Sequence, residues 1–198
     1  MRKKRRRARE PYFPPLEEIE QELERLQSKK SWRSALRSTI YTLVVVAAAA
    51  VLVAMLYMPV LKVSGSSMEP NLNDGDIIVG VKSGRFETGQ VCSFYYNNRL
   101  LLKRVIASAG DWVEIDADGY VYVNGVQLDE PYVQDRSLGI CDIEFPYQVP
   151  EGCLFLLGDH RSTSVDSRSS VVGCIRADEI VGKILVRVWP LSEFGPVR

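Results

Sequence analysis

Between Arg37 and Lys62 the chain carries no charge, and the 24 residues from Ser38 to Leu61 are almost all apolar. A helix rises about 1.5 Å per residue, so roughly 20 such residues cross the hydrocarbon core of a bilayer. The run predicts a membrane-spanning helix. A cleavable secretory leader has a shorter apolar region, a short basic lead and small residues at its exit. Here the lead is 37 residues long and the Ala47–Ala50 run sits in mid-span, so the pattern predicts an anchor that is retained.

Before the span, Leu16, Ile19, Leu23 and Leu26 recur at helical spacing with Glu17, Glu18, Glu20, Glu22 and Glu24 between them, which predicts a short amphipathic helix over Leu16–Gln27. Pro11, Pro14 and Pro15 set it off from a basic tail of ten residues, expected to lie free or on anionic headgroups. After the span the period changes. Apolar runs at Asp76–Val81, Val91–Tyr96, Leu100–Ile106, Trp112–Ile115, Tyr120–Val123, Gly152–Leu157 and Glu179–Val188 are separated by turn residues, among them Asn97-Asn98 and Asn124-Gly125. The expected fold is mainly β, an antiparallel domain over residues 62–198 behind a span at 38–61 and an N-terminal segment at 1–37.

Charge gives the chain a direction. The 25 basic and 25 acidic residues cancel, but residues 1–37 hold 12 of the former and 6 of the latter, a net of +6 that leaves −6 for the rest. The positive-inside rule then keeps the N-terminus in the cytoplasm and puts everything after Pro59 outside. Cys92, Cys141, Cys153 and Cys174 have no C-x-x-C spacing and His160 is the sole histidine, so the chain offers little for a zinc site. An external domain could oxidise Cys141 with Cys153; four free thiols is the other reading. There is no internal repeat and no glycine-rich phosphate loop, and nucleic acid is not an expected partner.

Three segments bear chemistry. Ser64-Gly65-Ser66-Ser67-Met68-Glu69-Pro70-Asn71-Leu72 by itself reads as a linker, yet a linker has no need of its Met, Pro and Leu pattern. Leu101-Leu102-Lys103-Arg104-Val105-Ile106 puts a lysine into an apolar strand, costly unless the ammonium is paired or deprotonated, although an edge-strand lysine would also read this way. Gly158-Asp159-His160-Arg161-Ser162-Thr163-Ser164-Val165-Asp166-Ser167-Arg168, dense in hydroxyls and opposite charges, would alone pass for a surface loop.

In this order, behind an N-terminal anchor and over about residues 40–190, the three segments resemble bacterial type I signal peptidases. The resemblance implies a serine endopeptidase that cuts signal peptides from exported preproteins. Ser67 would be its nucleophile, Lys103 its general base, and Ser164 the hydroxyl that aims the lysine. Asp166 and Arg168 would pair to hold the loop, supported by Asp159 and Arg161. The Ser67 N–H would be one oxyanion donor; Gly65 stands where some relatives place a hydroxyl donor, so a second must come from elsewhere. Val63, Met68, Leu72, Leu101 and Leu102 would line shallow pockets for Ala or similar residues, the peptide binding as an added strand. No metal or cofactor is implied. The partners would be preproteins and membrane lipid, close to the secretion machinery.

The chemistry suits these residues. A serine hydroxyl needs a base to become a nucleophile, and a lysine with a pKa near 10.4 serves as one only after desolvation lowers that value. The sequence departs from the family at Asn71, Gln90, Ala109 and His160, and in a longer stretch at Ser169–Val172. Two other readings are open: a Ser/His protease using His160, and an inactive homologue that serves as an assembly partner.

Overall fold

The computed structural model describes residues 15–197, so the expected basic tail lies outside the described residues. The chain divides into two units, residues 1–53 and 54–198.

Helix α1 runs without a break from Leu16 to Tyr57, 42 residues, opening with Glu18 N–H donating to Pro15 O. Glu17 and Glu18 in its first turn suit the positive end of the helix dipole. The short amphipathic helix and the span are thus parts of one helix. No Pro or Gly lies between Gln27 and Ser38 to end the first piece, and Lys, Arg, Ala and Leu there favour helix. None of α1 is buried, and it is long and apolar enough to cross a membrane, which is compatible with a single-pass anchor. It stops short of the predicted Leu61 because Pro59 disfavours helical backbone at Met58 and has no N–H to give. Val60–Lys62 already form a strand.

The second unit is built of antiparallel strands. These are β1 (Val60–Lys62), β2 (Ile77–Val81), β3 (Val91–Tyr96), β4 (Arg99–Ser108), β5 (Trp112–Ile115), β6 (Val121–Val123), β7 (Val126–Gln127), β8 (Tyr147–Gln148), β9 (Cys153–Leu157), β10 (Ile175–Arg176), β11 (Ile180–Trp189) and β12 (Gly195–Pro196). The large sheet has the order β1-β2-β11-β3-β4-β9-β10, with β12 on β11, and the small sheet has the order β7-β6-β5-β8. Two predicted turns close hairpins with both residues at positive φ: Asn97 and Asn98 between β3 and β4, Asn124 and Gly125 between β6 and β7. That backbone follows the right-handed twist of paired strands. The sheet is no plain meander, because β11 inserts between β2 and β3.

Strand β4 is the central element for function. Leu102 through Ala107 are all buried, so it is covered on both faces and Lys103 is no edge-strand lysine. Val63, Met68, Leu72, Ile78, Val91, Leu102 and Ile184 form one core cluster. The four cysteines are free thiols. The Cys141–Cys153 pair suggested by spacing is not formed: Cys141 Sγ lies against Ile143 O, while Cys153 packs beside Cys174 against another cluster.

Candidate active site

The segment after β1 is pinned rather than loose. Its two ends are tied across the base, Val63 N–H donating to Asp76 O and Gly75 N–H to Val63 O. Met68 and Leu72 are 1% and 0% exposed, driven into the core, and Leu72 N–H bonds to Met68 O. Apolar burial at these two points fixes Ser67 directly before Met68, half-exposed at the surface. Gly65 takes a φ of 91°, where a side chain would be strained, and gives its N–H to Asp74 Oδ1. The Ser67 N–H donates to no acceptor among the described residues.

Lys103 is 2% exposed. Its Nζ donates to Ser164 Oγ at 2.9 Å, and no hydrogen bond joins it to Ser67 Oγ among the described residues. Burial of the ammonium lowers its pKa from 10.5 to about 8; Asp166 and Asp159 pull the value up and Arg168 pushes it down, each less strongly.

The loop carrying Ser164 is held by ion pairs. Asp166 receives Arg168 Nε and Nη2, each at 2.8 Å, and takes Gly158 N–H at 3.0 Å. Arg168 spends its remaining donors on the carbonyls of Ser137, Leu138, Arg161 and Ser164. Asp159 pairs in two-pronged fashion with Arg104, at 2.8 and 2.6 Å, and accepts Asn71 Nδ2 at 2.8 Å. Arg161 pairs with Glu130 and donates Nε to Gly158 O at 3.1 Å. Three buried guanidiniums are thus each matched by one buried carboxylate. Such pairing lets charges stay in a dry interior.

The Ser67 segment meets this loop at Gly158. His160 N–H donates to Ser67 O at 3.1 Å. A Cβ on Gly158 would collide with Ser164 Oγ and would lie 2.6 Å from Ser67 O. Only glycine lets the two approach. A small cleft opens beside Ser67, lined by Val63, Met68, Leu101 and Leu102 among others. Leu72 is not among its lining residues; it supports the cleft from the core. His160 is half-exposed, with Nδ1 3.3 Å from Ser66 O and 3.9 Å from Glu69 Oε2. Among the described residues no group of three or more His, Cys, Asp or Glu side chains is placed to hold a metal.

Sequence reasoning assigned no role to Asn71, Arg104, Glu130, Tyr132 or Gly158. Arg104 and Gly158 were legible as members of the motifs, and Asn71 as a departure from them. Glu130 and Tyr132 belong to no motif, and nothing in their spacing points to the site.

The chain is similar to proteins of one known family. Residues 36–189 match the family model described as signal peptidase, peptidase S26. Signal peptidase IB of Staphylococcus aureus is 40% identical over 152 residues, covering 67% of this chain and 78% of that protein. Signal peptidase I of Bacillus caldolyticus is 33% identical over 150 residues, covering 67% and 80%. A crystal structure of a signal peptidase I from Enterococcus faecalis aligns with a TM-score of 0.41 and 30% identity, over 50% of this chain and 95% of that one. On the family model and these two relatives, the chain belongs to the signal peptidase family, peptidase S26, and is a peptidase that cleaves signal peptides.

Proposed function

We propose that this chain is a membrane-anchored serine endopeptidase with Ser67 as nucleophile and Lys103 as general base, cutting exported preproteins after small residues of the Ala-x-Ala kind. The observation that carries the reading is the buried amine of Lys103, lowered to about 8 and aimed by Ser164 Oγ at 2.9 Å. A neutral amine has the lone pair that a base needs; an ammonium does not.

In the first step Lys103 Nζ takes the proton of Ser67 Oγ as that oxygen bonds to the scissile carbonyl carbon. Negative charge moves to the carbonyl oxygen, for which the Ser67 N–H is one available donor. The C–N bond then breaks, and the leaving amine takes the proton from Lys103. Water, deprotonated by Lys103 Nζ, attacks the acyl carbon; the bond to Ser67 Oγ breaks, that oxygen takes the proton back from Lys103, and the signal peptide leaves with a new carboxylate. Apo geometry is often loose, so the missing Ser67–Lys103 hydrogen bond is compatible with contact made only when substrate is bound. Asp166 with Arg168, and Asp159 and Arg161 in their pairs, would hold the loop. Val63, Met68, Leu101 and Leu102 would receive the small side chains, with Leu72 beneath.

Helix α1 would anchor the enzyme in a single pass, N-terminus in the cytoplasm and catalytic domain outside, lipid around the helix and the secretion machinery nearby. Protease added outside intact cells should then digest the domain after Pro59 and spare residues 1–37. Protection of that domain until lysis would overturn the orientation.

The chemistry is tested with detergent-solubilised protein and a preprotein bearing an Ala-x-Ala site. Ser67→Ala and Lys103→Ala should each abolish cleavage, with the double variant no worse, because the two groups work as a unit. Lys103→Arg should also be inactive, since a guanidinium stays protonated. His160→Asn should keep most activity. Cleavage by Lys103→Ala, together with loss in His160→Asn, would move the base to His160.

A further inference from the structure

Glu130 lies far from all three motifs in sequence, in the segment between β7 and β8, yet its side chain is buried to 1% exposure at the catalytic loop. Both carboxylate oxygens take a guanidinium nitrogen of Arg161, Oε2 from Nη1 at 3.2 Å and Oε1 from Nη2. Arg161 in turn ties the loop at two points. Its Nε donates to Gly158 O at 3.1 Å, and its own carbonyl accepts Arg168 Nη2 at 2.9 Å. That same Nη2 reaches Ser164 O at 3.3 Å. Gly158 is where Ser164 and the Ser67 carbonyl come together.

Two residues on, Tyr132 braces the other side. Its carbonyl accepts Asn71 Nδ2 at 2.7 Å, and its ring faces the Arg104 guanidinium, with Cζ 3.9 Å from the ring centroid. Asn71 belongs to the Ser67 segment and Arg104 follows Lys103 in the chain. A single three-residue segment, Glu130-Pro131-Tyr132, therefore contacts an element from each of the three motifs.

We propose that Glu130 is a positioning residue for the reaction: by holding Arg161 it fixes Gly158 and Ser164, and through Ser164 the amine of Lys103. The inference rests on the Ser67/Lys103 reading given above. Without the carboxylate, Arg161 becomes an unmatched buried cation and must turn away toward water, carrying its bond to Gly158 O with it. Loss of aim at Ser164 acts on the chemical step and leaves the peptide cleft untouched, so it lowers kcat and not substrate binding.

The test uses full-length protein in detergent with a preprotein substrate, assayed well below the melting temperature of each variant. Glu130→Gln keeps the size and removes the charge. It should lower kcat by about tenfold to a hundredfold, the effect of one lost orienting contact, with KM changed by no more than about threefold. Asp178→Asn, which opens an exposed pair with Arg176, is the control and should leave both constants unchanged. A kcat within about twofold of the parent for Glu130→Gln, or a rise in KM alone, overturns the proposal.

If Glu130→Gln does not fold, the double variant Glu130→Leu/Arg161→Met removes both charges together, a replacement that buried pairs often tolerate. A folded double variant with the same selective loss of kcat supports the proposal. A folded double variant with parental kcat, or failure of both variants to fold, assigns the pair to folding alone and overturns it. Ser67→Ala and Lys103→Ala run alongside keep the two ideas apart: if they still cleave, the dyad is wrong, whereas if they are inactive and Glu130→Gln is not impaired, only this inference fails.

Discussion

Lys103 and Ser164 lie 61 residues apart in the chain, yet the amine of one donates to the hydroxyl of the other at 2.9 Å in a site closed to solvent. Strand β4 supplies the first and the ion-paired loop after β9 supplies the second. For the proposed base this contact does two things. It fixes the direction of a long, flexible side chain, and it gives a buried nitrogen its hydrogen-bond partner among the described residues.

The lowered pKa sets the pH profile. Burial brings Lys103 to about 8, so the fraction present as free amine falls about tenfold per unit below that value and levels off above it. The single-turnover acylation rate should rise with pH up to about 8 and then flatten. A rate constant unchanged from about pH 6 to 10, with chemistry limiting, would exclude a titrating lysine.

The same shift links stability to pH. In the unfolded chain the lysine titrates near 10.5 and in the folded chain near 8, so between those values the unfolded state binds the extra proton. Stability therefore rises with pH across that window and is insensitive to this group below it. Relative to Lys103→Met, the parent should gain roughly 1.4 kcal/mol per pH unit from about 8 to 10 in urea unfolding. Parallel curves for the two proteins would show that the lysine is not shifted.

Ser164→Ala removes the orienting hydroxyl and leaves Ser67 and Lys103 in place. The cost should be about 1–3 kcal/mol in activation, roughly tenfold to a few hundredfold in kcat. Ser162 is exposed and Ser162→Ala should match the parent. Equal effects from both would mean that Ser164 has no particular role.

Gly158→Ala tests the meeting point of the two segments. The new methyl would collide with the Ser164 side chain and press on Ser67 O, so one or both must shift. Cleavage should be lost and unfolding made easier by about 1–3 kcal/mol, the usual range for overpacking. A fully active Gly158→Ala enzyme would show that the approach of Ser67 to Ser164 is not needed.

Cys92 faces Lys103 across the β3–β4 pair and is 0% exposed, with burial raising its thiol to about 12. It should resist iodoacetamide at pH 8 in the native protein and react only after unfolding. Mass mapping of alkylated peptides reads this directly, and native labelling of Cys92 would reveal opening of the large sheet.

Much of this protein is written locally. The uncharged run after Arg37 needs only its own composition to predict a helix, and Pro59 needs only its ring to end it at Tyr57. Asn97-Asn98 and Asn124-Gly125 close hairpins because their own backbones accept positive φ. The long strands β2, β3, β4, β9 and β11 stood out because each is an apolar run bounded by turns, and the motif residues Ser67, Lys103 and Ser164 were legible through family likeness. The short strands β1, β7, β8, β10 and β12 escaped, since two or three residues are too few to carry a period of two.

What tertiary structure decided is which distant groups share a charge. Sequence had Asp159 and Arg161 as supports, without partners; packing gave them Arg104 and Glu130, on different elements. It also placed β11 between β2 and β3, moved Leu72 from the cleft wall into the core, and left Cys141 apart from Cys153. Helical reach and turn geometry act over a few residues, and the chain itself enforces them. A buried ion pair forms between whatever two elements the core brings together, and its energy depends on the water excluded around it, a property that belongs to the assembled fold and to no segment of the sequence.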